Sequence, residues 1–163
     1  MSKGASAARP PRTPAEFVEQ CGKIARDSGR GSLGKSPVVF RLRHDGEEKQ
    51  CTVDVIRQGG EKHVKVELMS FDPDKELGKI LNDPGEFACD EVVKAMQKVP
   101  QGLDLFFMYK GSPYEIEDMA AEPGKPITCD LVPWGSLDES ARPYAEIRRW
   151  AEWCRDPVLP WIV

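Results

Sequence analysis

Residues Gly29 to Ser36 read Gly-Arg-Gly-Ser-Leu-Gly-Lys-Ser and match the phosphate-loop pattern G-x-x-x-x-G-K-[ST] at every position. In a working loop the glycines let backbone amides wrap the phosphates, the lysine reaches the β and γ oxygens, and the hydroxyl holds magnesium. That chemistry needs a strand before the loop and a helix after it, because the helix N-terminus supplies part of the field. Here a helical pattern precedes the loop, and a β pattern starts at Pro37-Val38-Val39-Phe40. The expectation is therefore a connector. Gly29, Gly34, Lys35 and Ser36 are kept as candidates for a nucleotide or phosphate, and no cofactor is expected.

Other reactive side chains do not converge. The two histidines, His44 and His63, fall at a strand end and on the charged side of another strand, so both are expected at the surface. A Cys51–His44 nucleophile pair would need Cys51 exposed, yet its period-two phase puts it inward. The five cysteines, Cys21, Cys51, Cys89, Cys129 and Cys154, are widely spaced, odd in number and set in apolar stretches. This points to buried free thiols in a reducing compartment, with neither a disulfide framework nor a zinc site. Glu115, Glu117, Asp118 and Glu122 form an acidic stretch between Gly and Pro, which reads as solvated loop in preference to a catalytic carboxylate pair. Arg41, Arg43, His63 and Lys65 share a strand face with Asp54 and Glu67. The mixed signs and the lack of aromatics there argue against a nucleic-acid platform.

The aromatic residues point elsewhere. Trp134, Trp150, Trp153 and Trp161 all fall near the C-terminus, where indole rings commonly meet a polar or partner surface. Trp153 falls on the polar side of the last helical pattern, and Trp161-Ile162-Val163 follows Pro160. Trp153, Pro160, Trp161, Ile162 and Val163 are accordingly the candidate partner-binding residues, the partner being another protein, with room for a homo-oligomer.

The elements that must position these residues are clearly punctuated. Thr13-Pro14-Ala15-Glu16 combines a capping-box pair with proline at the first helical position, and Phe17, Cys21, Ile24 and Ala25 form an apolar stripe. Three strands follow by alternation: Val38, Phe40 and Leu42; then Cys51, Val53 and Val55; then Val64, Val66 and Leu68. Asp45-Gly46 and Gly59-Gly60 supply their turns. Asp72-Pro73 starts a helix bearing Leu77, Ile80 and Leu81, and a second helix carries Cys89, Val92, Val93, Met96 and Val99 up to Pro100. Leu103 to Lys110 reads as a central strand, apolar on both faces except at Asp104, and Ile127 to Val132 as another. The final helix runs from about Pro143 to Cys154.

The predicted order is α-β-β-β-α-α-β-β-α: an α+β domain with an antiparallel sheet of about five strands and helices on one face. Its bounds are expected at 13–156, between a disordered tail at 1–12 and an apolar C-terminal tail at 157–163, docked or partner-binding. A helix leading into a three-strand meander, with the strand–turn–strand rhythm of Val38 to Val55, is similar in shape to sterol-carrier-type domains. That similarity implies a carrier of an apolar small molecule, with a cavity lined by residues such as Phe87, Met96, Leu105 and Phe107.

Composition bounds the function classes. With 163 residues, 40% hydrophobic and 31% charged, the chain is one domain's worth and too apolar to be disordered. No run approaches the roughly 18 apolar residues of a spanning helix. A net charge of −4 removes the general basis of non-specific nucleic-acid binding. The N-terminal stretch lacks the apolar segment of a secretory signal, which makes cytoplasm the default and leaves an acid-free fragment compatible with an organelle address. The residues thus point away from catalysis and toward a protein-interaction or assembly subunit. An apolar carrier and a phosphate binder at Gly29–Ser36 are the alternatives.

Overall fold

A computed structural model describes residues 10–27, 33–59, 62–122 and 125–136. Helix α1 (Pro14–Asp27) leads into strands β1 (Val38–His44), β2 (Glu47–Gly59) and β3 (His63–Phe71). Helix α2 (Pro73–Asn82), a 3-10 turn at Gly85–Phe87 and helix α3 (Cys89–Gln97) connect these to β4 (Asp104–Tyr109), β5 (Ser112–Ala121) and β6 (Ile127–Pro133). The six strands close into one barrel in sequence order.

This corrects the expected open antiparallel sheet. The strands are mixed: β3 and β4 run parallel across the α2–α3 crossover, and β1 pairs in parallel with β6, Phe40 opposite Cys129. The sequence hides the strand that makes closure possible. Glu115, Glu117 and Asp118 belong to β5, not to a solvated loop, and β5 brings β6 back to the free edge of β1. Carboxylates are poor strand formers, so their density masks an alternation of Tyr114, Ile116 and Met119 that faces inward.

Two register shifts help the sheet to curl. One lies between Val53 and Val55, the other between Ile116 and Asp118. A bulge adds one residue, bends its strand and reverses the side-chain phase beyond it. Val55, expected in the core, is therefore 37% exposed, while Ile56 packs against the core in its place.

The helices close one end of the barrel instead of covering a sheet face. Phe17 of α1 and Met96 of α3 are fully buried, and the Phe17 ring lies 6.4 Å from that of the inward-facing Phe107. A helix outside the wall could not reach an inward ring, so contact comes through the end where β1, β4 and β6 begin. Backbone bonds agree: Leu105 N donates to Arg12 O at 2.8 Å, and Ala15 N to Gln101 O at 3.3 Å. The α1 start is capped by Thr13 Oγ1, which accepts from Glu16 N at 3.2 Å, while the Glu16 carboxylate accepts from Arg12 N at 2.8 Å. Helix α2 is more peripheral, with Ile80 buried and Leu81 39% exposed. The C-terminal helix expected from Pro143 lies outside the described residues.

Phe40 and Phe107 meet at 5.3 Å in the middle of the interior, with Phe17 behind them. Phe107→Ala should therefore lower stability by about 3–5 kcal/mol in chemical denaturation, through lost burial and a cavity the rigid wall cannot collapse into.

Candidate functional site

The end of the barrel opposite the helices carries its inward polar groups. His44 at the end of β1, Tyr109 at the end of β4 and Tyr114 near the start of β5 all point inward. The imidazole stands edge-on to Tyr109 at 5.0 Å, and its Nδ1 lies 2.9 Å from the Tyr114 hydroxyl. That hydroxyl donates to Arg43 O at 3.2 Å, so Nδ1 is the donor in the bond between His44 and Tyr114. Nε2 then faces the exposed Asp45 carboxylate at 3.6 Å. Chemically the array can relay a proton toward solvent. Structurally it ties β1 to β5 and plugs the mouth with three rings. Cys51 is fully buried, and burial pushes its thiol up to about 11, so the Cys51–His44 pair has no thiolate to offer at neutral pH.

A second cluster lies on the outside of β3, β4 and β5. His63 stacks on Phe106 at 4.8 Å, and Phe106 meets Trp134 edge-on at 4.2 Å. Neither His63 nor Glu115 is at the surface as expected, being 1% and 4% exposed. Glu115 receives the Arg12 guanidinium at 3.3 Å and Gly135 N at 2.8 Å, while Trp134 N donates to Pro113 O at 3.0 Å. Lys65 is buried beside His63. Burial, reinforced by the Lys65 charge, pushes the imidazole down to about 4 and keeps it neutral. Gly59 sits opposite His63 in the ladder, and a Cβ there would lie 2.6 Å from His63 Nε2 and 2.8 Å from Lys65 Cδ. Only glycine admits both side chains over that strand.

His44 and His63 are at opposite ends of the barrel, paired with Glu47 and Gly59 respectively. Of the residues expected to share one mixed-sign strand face, Arg41 pairs with Asp130 at 2.7 Å and Glu67 with Arg57 at 2.8 Å, while His63 and Lys65 are buried. Among the described residues no group of three or more His, Cys, Asp or Glu could hold a metal ion.

Of the phosphate-loop candidates, Gly34, Lys35 and Ser36 are described and Gly29 is not. Ser36 O accepts from Cys89 N at 2.7 Å and Gly34 O from Asp90 N at 3.0 Å. The loop thus turns carbonyls toward the N-terminus of α3 and caps it. A phosphate cradle needs the opposite polarity, with loop and helix amides both aimed at an anion. Lys35 is exposed, and β1 begins at Val38. Trp153, Pro160, Trp161, Ile162 and Val163 lie outside the described residues.

The outer cluster is what sequence reasoning missed. Its one signal was a β4 segment apolar on both faces, which requires cover outside as well as inside the barrel. Comparison with protein-family models, with curated proteins and with solved structures finds no match. Among the described residues no helix is long and apolar enough to cross a membrane.

Two measurements check these sites. Tyr114→Phe removes a hydroxyl that bonds both His44 and Arg43 O, and should cost about 1–3 kcal/mol in a urea melt. The buried His63 makes stability fall as the pH drops. Its folded pKa of about 4 lies below the unfolded value of 6.5, so the unfolded chain binds the extra proton first. Roughly 3 kcal/mol should be lost between pH 6.5 and 4. His63→Phe, which keeps the stack on Phe106, should abolish that part of the slope.

Proposed function

We propose that the protein is a non-catalytic interaction module that contacts a protein partner through the outside of its barrel. The observation that carries this reading is the filled interior. Phe17, Phe40, Phe107, Met96, Ile116 and Ile127 are buried within it, α1 and α3 close one end, and His44, Tyr109 and Tyr114 close the other. Met96, Leu105 and Phe107, which a carrier would need as cavity lining, pack on one another as core, while Phe87 lies in the 3-10 turn and outside that core. A chain that spends its interior on itself recognises others with its surface.

That surface offers a small apolar spot on β2 and β3. Val55 and Met69 are 37% and 40% exposed and are diagonal neighbours, since Val55 stands opposite Glu67. The Arg57–Glu67 pair and the half-buried Phe71 flank them. Exposed apolar side chains rimmed by charge are common in partner-contacting patches. The tryptophan-bearing C-terminal residues, Trp153 and Trp161 with Pro160, Ile162 and Val163, belong to the same proposal as a further contact.

The test places a photo-crosslinking residue at Val55, at Met69 or, as a control, at the exposed Lys35 of the full chain in its native extract. The first two sites should give the same protein adduct and the control none, and deleting Val158–Val163 should weaken that adduct without lowering the melting temperature. A melting-temperature rise with ATP or a fatty acid would overturn the reading, because a ligand at a hundred times its Kd stabilises by about 2.7 kcal/mol.

A further inference from the structure

The outside of β3, β4 and β5 is a barrel surface that has the burial of an interior. His63 and Lys65 of β3, Phe106 and Met108 of β4 and Glu115 of β5 stand on the outward side of their strands, between the inward Val64, Val66, Leu105, Phe107, Tyr114 and Ile116. None of the five is more than 6% exposed. Side chains outside a barrel wall are ordinarily wetted, so a further layer has to lie over these. Trp134 begins it. Its ring meets Phe106 edge-on at 4.2 Å, on the side away from the barrel interior, yet it is itself only 8% exposed. An indole that stands outside a buried phenyl ring is buried only by something farther out.

The described helices are placed elsewhere. Helices α1 and α3 close the end of the barrel, where Phe17 reaches Phe107. The α2 crossover leaves β3 at Phe71, opposite Gln50 of β2, and arrives beside β1, where Pro37 bridges Ala88. It therefore follows the β1–β2 side, and β4 lies across the barrel from β1.

The end of the described chain, by contrast, is seated on this sector. Trp134 N donates to Pro113 O at 3.0 Å, Gly135 N to the Glu115 carboxylate at 2.8 Å and Ser136 N to Pro133 O at 3.1 Å. The sequence that follows has a matching apolar face: Tyr144, Ile147, Ala151 and Cys154 recur at intervals of three and four. A helix over 143–154 would be roughly 18 Å long, about the length of five or six strand residues. Residues 137–142 can span up to about 20 Å, enough to carry the chain back over the wall it has just left. A second copy of the chain is the rival cover, but the chain's own continuation already starts at the right place.

We propose that residues 143–154 dock on the outside of β3, β4 and β5 of the same chain, with the Tyr144, Ile147, Ala151 and Cys154 stripe against Phe106, Met108 and Trp134. Trp153 falls on the opposite side of that pattern, so the docked segment presents it outward together with Val158–Val163. The docking is internal to one chain and stands whether or not a protein partner uses those residues.

The experiment places benzoylphenylalanine at Ile147 in the purified full-length chain, dilute and without any partner, and irradiates it. The cross-link should form within one chain and map to residues 63–67, to residues 104–108 or to Trp134. The same group at Arg149, on the other face of the pattern, should give less than a tenth of that product. A product with the mass of two chains, an adduct at Val55 or Met69, no adduct at all, or equal yields from the two positions would each overturn the proposal. In a second arm, Ile147→Arg should raise the native acetylation of Lys65 at least tenfold, with Cys51 and Cys129 still closed to iodoacetamide because the barrel is intact. Lys65 as well protected in that variant as in the wild type would also overturn it. The cross-link is read with every barrel residue native, so it decides whether or not Ile147→Arg folds.

Discussion

Closure of the ladder between β1 and β6 is the constraint on which the rest of this structure depends. Six strands enclose a narrow interior, too small for anything beyond a few layers of side chains. Once Phe40 pairs with Cys129 and Arg41 with Asp130 in the backbone register, the circumference is fixed and so is the volume inside. Phe40 and Phe107 occupy the middle, α1 lends Phe17 to one end, and the Tyr109, Tyr114 and His44 rings fill the other. Every inward residue is answerable to this one fixed volume, which the rings share with the aliphatic side chains of Val64, Val66, Leu105, Ile116 and Ile127.

The wall is not uniform on its outer side. Around β3, β4 and β5 it carries a second buried layer, in which polar groups are neutral or matched. His63 stacks uncharged on Phe106, and Glu115 answers both Arg12 and Gly135 N. That carboxylate joins the segment before α1 to the segment after β6, so the two ends of the described chain are held at one place on the barrel. Around β2 and the adjacent half of β3 the wall meets solvent, and there ion pairs lie beside Val55 and Met69. The contrast divides the outside into a sector engaged in the fold and a sector open to solvent.

Much of the local structure was legible in the sequence. The caps at Thr13 and Asp72 and the apolar stripe of α1 rest on short-range chemistry that neighbouring residues specify, and the structure keeps them. The phase of β1 and β3 follows from strict alternation. What could not be read is non-local. A bulge at Val53–Val55 leaves no mark in a pattern of alternating Val, Asp and Ile, yet it turns Val55 outward. Strand β5 was hidden because Glu115 is charged in isolation and acceptable only beside Arg12, a partner 103 residues away. With β5 unseen, nothing announced that the sheet edges meet, and an open sheet was the natural inference. Among the candidate residues, the Gly34 to Ser36 segment fits the letters of a phosphate loop, and the direction of its carbonyls is a property of the fold alone.

The same parallel seam has a consequence in time. The Arg41–Asp130 pair that spans it joins residues 89 positions apart, so a ribosome must deliver most of the barrel before β1 can be sealed. Until then β1 is a growing chain's bare edge, with β2 on one side and unpaired amides and carbonyls on the other. Contacts of such long sequence separation form slowly, and an unpaired edge is a template for another nascent chain. The outward residues of that edge include Arg41 and Arg43, whose charges repel a like strand from a neighbouring polysome product. Arg41 thus guards the edge of the unfinished barrel and, once Asp130 has been made, pairs with it across the seam that the backbone ladder closes.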